Sequence, residues 1–144
     1  MQRYLAALAL LGLASPAAAW EFTQDTLCRL SHDEGGVAVD VTYDPAVPEY
    51  AIHVRRDAPW PASPVFAMIF EGGRALSIST DRHRLSEDGR TLSVHDSGFG
   101  NVLNGLQYNS RVTALVLDSG VTVSLAGAAP EVERFRGCAT ARLS

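Results

Sequence analysis

Lysine is absent from the 144-residue chain, and all 12 basic residues are Arg. Against 16 Asp and Glu they leave a formal net charge of −4. An acidic chain without a basic stripe lacks the phosphate-neutralising surface on which nucleic-acid affinity rests, so no nucleic-acid partner is expected. Cysteine is scarce: Cys28 and Cys138 are the only two. Neither is accompanied in sequence by the further ligands that a metal pair needs. There is no G-x-S-x-G elbow of the kind that presents a nucleophilic Ser. The Gly-rich stretch has neither the Lys nor the strand-to-helix context of a phosphate loop. Beyond the first residues, no apolar run is long enough to span a bilayer.

What is present begins with an export signal. Arg3 carries the side-chain charge of a short leading segment, Leu5 to Ala14 form an apolar run, and Ser15 and Pro16 break it. Ala17-Ala18-Ala19 then offers an A-x-A cleavage site before Trp20. That order reads as a secretory signal peptide over residues 1–19. Residues 20–144 remain, roughly 125 residues and one domain's worth. Cleavage removes Arg3 and no acid, so the mature part is slightly more acidic than the whole. In an oxidising compartment the two Cys are read as a disulfide. It closes a loop of on the order of 110 residues, which contributes roughly 4–5 kcal/mol in the chain-entropy account.

The body of the chain shows short alternating runs separated by turn signals, the pattern of antiparallel strands. Expected strands are residues 26–31, 37–43, 50–55, 65–70, 75–80, 91–95, 112–117 and 121–125. Turns are expected at His32-Asp33-Glu34-Gly35-Gly36 and at Asp118-Ser119-Gly120. Helices are expected at residues 99–108, and from Pro130 at a helix start to Gly137 at its stop. The expected fold is mainly β: a single-domain antiparallel β-sandwich, or a flattened barrel, with one or two short helices and one disulfide.

The densest polar stretch runs from Ser79 to Asp96. It contains Asp81, His83, His95 and Asp96, the residue types of an acid–base pair or a metal site. Against that, strand alternation puts His95 off the Leu92–Val94 face, as in an exposed hairpin with charged edges. Asn101 and Asn104 lie in a Gly- and Asn-rich stretch that either lines a ligand site or bridges two sheets. His32 reads as turn surface and His53 as an exposed strand position. Trp20 and Trp60 read either as an aromatic patch for a partner or as rings packed beneath a Pro-rich loop.

Four runs carry a resemblance: TYDPAVPEYAI (Thr42 to Ile52), STDRHRLS (Ser79 to Ser86), GFGNVLNGL (Gly98 to Leu106) and SLAGAAPEVERFRGC (Ser124 to Cys138). They look like those of a group of small exported alphaproteobacterial proteins of unknown function, over nearly the whole mature chain. Members are often called excinuclease ABC components, which does not suit a short, exported chain without a P-loop. In pattern alone the layout is similar to the invasion-associated locus B family of periplasmic β-sandwich proteins, although this chain has fewer Cys. Neither resemblance supplies catalytic residues.

The expectation is therefore an exported, non-catalytic binding or interaction module, periplasmic or secreted. It calls for no cofactor, no metal and no catalytic residue. Its partner would be an envelope protein or a small ligand, and its candidate binding residues are Asp81, His83, His95, Asp96, Asn101 and Asn104. The competing expectation is a small metal-assisted or acid–base enzyme using the Asp81–Asp96 hairpin.

Overall fold

Residues with inward side chains at every second position build the first strands. In β2 (Cys28–Glu34) the inward set is Cys28, Leu30 and His32, and in β3 (Val37–Asp44) it is Val39, Val41 and Tyr43. A computed structural model describes these and the rest of residues 19–143. The expected signal peptide, apart from Ala19, lies outside the described residues.

Ten strands and two helices are described. A short β1 (Glu21–Gln24) pairs with β2, and β3 pairs with β4 (Glu49–Arg55). Next come β5 (Phe66–Glu71), β6 (Leu76–Thr80), the two-residue β7 (Arg84–Leu85) and β8 (Thr91–Asp96). Helix α1 (Gly100–Gln107) precedes β9 (Arg111–Val116) and β10 (Ser119–Ser124), and α2 (Ala128–Leu143) ends the chain. All pairings are antiparallel. They give a six-stranded sheet in the order β1-β2-β3-β4-β8-β7 and a four-stranded sheet in the order β10-β9-β5-β6. The fold is thus mainly β, an open sandwich-like arrangement with two helices and one disulfide. The core between the layers includes Leu30, Val41, Ile52, Phe70, Leu92 and Val116. Cys28 and Cys138 are bonded, with Cα atoms 6.0 Å apart, so α2 is fastened to β2.

Four local expectations need correction. The first turn does not start at His32. That ring is 3% exposed, so β2 continues to Glu34, and the hairpin turns on Gly35 and Gly36 alone. Both have positive φ, 54° and 81°, as a two-residue turn between twisted strands requires. The last hairpin turns at Leu117 and Asp118, because Ser119 already pairs with Val116. Gly137 does not stop α2. The helix runs through it because Cys138 and Ala139, just beyond, are buried and the disulfide holds that turn down. Pro130 is its third residue rather than its first, a position whose N–H has no intrahelical partner to lose. Of the two readings of Trp20 and Trp60, the packed one fits: they are 3% and 4% exposed. Their indole N–H groups donate to the carbonyls of Ser124 and Val54, at 2.8 and 3.2 Å.

Candidate functional site

The two sheets do not close evenly along their length. Where β4 and β8 face β5 and β6, and the start of α1 covers the end, they leave a cavity of about 450 Å³. Its wall is apolar. Ile52 and Val94 come from the six-stranded sheet, Phe66, Met68 and Ile78 from the four-stranded one, and Val102 from α1. Most are core positions, Ile52 at 1% and Phe66 at 2% exposed, so their side chains are fixed from behind by packing. Ser79, Thr80, Asp96 and Asn101 supply polar groups to the same lining. The backbone N–H of Ser97 donates to Asp96 Oδ1 at 2.6 Å, which leaves the second carboxylate oxygen for other donors.

This cavity brings together only two of the residues singled out by sequence, Asp96 and Asn101. Three others, Asp81, His83 and His95, line a separate polar pocket with Glu49, Arg82 and Arg84. There the two imidazoles are held by different acceptors. His83 donates from Nε2 to the Ser63 carbonyl at 2.9 Å and packs near Phe66, leaving Nδ1 buried without a partner. His95 donates from Nδ1 to Glu49 Oε1 at 2.9 Å, at an exposed position. Its ring meets His53 edge-on at 5.7 Å. Among the described residues, no group of three or more His, Cys, Asp or Glu is placed to hold a metal ion. Asn104 lines neither space. Its Oδ1 accepts from Arg136 Nη2 at 2.7 Å and ties α1 to α2.

Two histidines lie elsewhere than expected. His32 is an interior residue stacked on Trp20, not turn surface. His53 is half-buried, with Nδ1 2.6 Å from Ser93 Oγ. Burial holds its pKa below 6.5, reinforced by His95 and Arg29 and opposed by Asp40.

Sequence reasoning missed the apolar lining. Alternation marks Ile52, Phe66, Met68 and Val94 as inward-facing, but no pattern along one chain tells which inward positions meet a neighbour and which meet a gap. The comparisons add no family to these observations: no protein-family model matches the chain, and neither a curated protein nor a solved structure matches it.

Proposed function

We propose that the chain is an exported, non-catalytic binding module that holds a small apolar ligand between its two sheets. The observation that carries this reading is the cavity of about 450 Å³ walled by Ile52, Phe66, Met68 and Val94. The space is a cleft partly open to solvent, and an apolar occupant would favourably cover the apolar side chains that line it. Ser79, Thr80, Asp96 and Asn101 would orient an occupant with one polar end. Export is supported by the leading sequence and by the Cys28–Cys138 bond, which belongs to an oxidising compartment.

The test is a titration of the disulfide-bonded chain with a neutral, environment-sensitive apolar dye, displaced by decanol. Saturable binding is expected in the native chain. It should be lost in Ile78→Trp, which fills the cavity from its edge, with the melting temperature unchanged. No binding, or equal binding in that variant, overturns the reading. Export has its own check: intact mass of the envelope fraction should correspond to a chain starting at Trp20, with no thiol free for alkylation.

A second reading, a metal-assisted or acid–base enzyme, draws on the convergence of Asp81, His83 and His95 on one polar pocket. Turnover of an ester, peptide or glycan that is abolished by His83→Ala or His95→Ala would replace the binding reading.

A further inference from the structure

Among the described residues, neither helix covers the outward face of the four-stranded sheet. Helix α1 lies on its inward side, where Gly105 meets the Phe70 ring, and α2 packs on α1, β1 and β2. Alternation fixes which residues form the open face. Phe66, Met68 and Phe70 of β5 and Val112, Ala114 and Val116 of β9 are buried. The residues between them, Ala67, Ile69, Thr113 and Leu115, therefore point outward. Ala67 stands beside Leu115, and Ile69 beside Thr113. Leu115 leans over Gly120 of β10, where an added Cβ would come within 3.1 Å of its Cδ1. At one end of the same sheet Val65 precedes β5 and Leu117 follows β9. They are 50% and 63% exposed, and few large apolar side chains are as open to solvent.

Charge is missing from the same face. On either side of this apolar strip β6 presents Ser77 and Ser79, and β10 presents Gly120 and Thr122. The strands carry no ionisable group there until Glu71 and Arg111, which pair with each other at 3.1 Å at the far end. The outward face of the six-stranded sheet, by contrast, carries Arg29, Asp40, His53, Arg55 and His95. The chain is acidic, with a formal charge of −4, so two copies repel at a distance. An uncharged face lets them meet without burying an unpaired charge. An apolar strip with a polar, uncharged margin is also the composition of a contact surface.

We propose that this face is a self-association surface, on which a second copy of the chain packs its own four-stranded sheet about a two-fold axis running along the strands between β5 and β9. The face matches itself under that operation, because large side chains fall against small ones. Ala67 of each copy meets Leu115 of the other, Ile69 meets Thr113, and Ser79 lies over Gly120. At one end Glu71 faces Arg111 of the other copy, and at the other end Val65 and Leu117 cover each other. Asp81 and Asp118 border that end beyond the strands, exposed to solvent that screens them. Strand spacing and rise make the face about 19 by 17 Å. That is less than a standard interface, so the dimer is weak, with a dissociation constant on the order of 100 µM. In dilute solution the chain is a monomer. The surface does not rest on the inter-sheet cavity binding a ligand, since that cavity lies on the inward side of the sheet.

The test is sedimentation of the disulfide-bonded chain from about 5 to 500 µM, a range that brackets the expected dissociation constant. Backbone amide signals are followed over the same range. The sedimenting mass should rise from that of one chain towards that of two, and the amide shifts should concentrate in residues 67–71 and 113–117. Ala67→Arg and Leu115→Asp each put a charge on an outward position that solvent reaches in the single chain. Both should melt near the native temperature when dilute and stay monomeric throughout. An equal mixture of the two should associate again, because one Ala67–Leu115 contact survives and the introduced arginine meets the introduced aspartate in the other. A chain that stays monomeric at the highest concentration overturns the proposal. So do amide shifts confined to other surfaces, association unchanged in both variants, or a mixture that associates no better than its components. Where a variant fails to fold, the amide map of the unsubstituted chain still decides.

Discussion

Trp20 lies flat on His32, ring centroids 4.6 Å apart and planes within 8°, although both rings are 3% exposed. The stack belongs to a circuit that joins the two sheets. The indole donates to the Ser124 carbonyl at 2.8 Å, and His32 Nε2 donates to Glu34 Oε1 at 3.1 Å. Glu34 in turn accepts from the Ser124 backbone N–H. Residue 20 thereby fastens the end of β10 to β2.

Trp20→Phe keeps most of the apolar burial but deprives the Ser124 carbonyl of its donor, which should cost about 1–3 kcal/mol. Trp20→Ala also opens a cavity and should cost about 3–5 kcal/mol. Urea unfolding of the disulfide-bonded chain measures both. If Trp20→Ala unfolds at the native midpoint, the circuit does not hold the sheets.

His53 gives a pH dependence whose sign is fixed. Its pKa is held below 6.5 in the fold, chiefly by burial, so the unfolded chain binds the proton first as pH falls. Stability from this group is complete above about pH 6.5 and declines as pH drops from there towards the folded value. Asp40, on the neighbouring strand, softens the decline, while Arg29 and His95 steepen it. His53→Gln should flatten this part of the stability–pH curve in chemical denaturation. An unchanged slope would assign it to other groups.

The strands were legible because each leaves one face in the core and alternates accordingly, as Val37 to Tyr43 does. β1 was not: Glu21–Gln24 carries one apolar residue in four and is a strand only because β2 offers it partners. His32 was misplaced because a polar residue followed by two acids and two Gly looks like a turn until Trp20, twelve positions earlier, is known to cover it. The candidate site divides in the same way. Asp81, His83 and His95 were near enough in sequence to be grouped and do share a pocket. Ile52, Phe66 and Val94 are far apart in sequence and border one space only because the two sheets pack face to face.

Leu117 is the one non-glycine residue at positive φ, 56°, among the described residues, and its side chain is 63% exposed. It therefore carries the steric cost of a left-handed conformation without burial to offset it. Leu117→Asn keeps the two-residue turn between Val116 and Ser119 with a residue that tolerates this conformation. The variant should be more stable by about 1 kcal/mol, read as a raised melting temperature. A lower one would mean that the leucyl side chain stabilises the turn by some other contact.

Two helical glycines should respond to the same substitution with opposite signs. Gly105, in α1, lies against the Phe70 ring, and a Cβ built there would come within 2.5 Å of it. Phe70 is fully buried and cannot swing away, so Gly105→Ala must push α1 off the four-stranded sheet. Overpacking of this kind costs about 1–3 kcal/mol. The displacement would also shift Phe99 and the first turn of α1, and with them part of the lining of the inter-sheet cavity. Gly137, in α2, is exposed and meets nothing within 4 Å. There Ala removes only the backbone freedom that Gly gives the unfolded chain, and Gly137→Ala should stabilise by about 0.5–1 kcal/mol. Thermal unfolding of the two variants side by side tests the pair. Equal shifts, of either sign, would mean that contact with Phe70 does not set how closely α1 sits on the sheet.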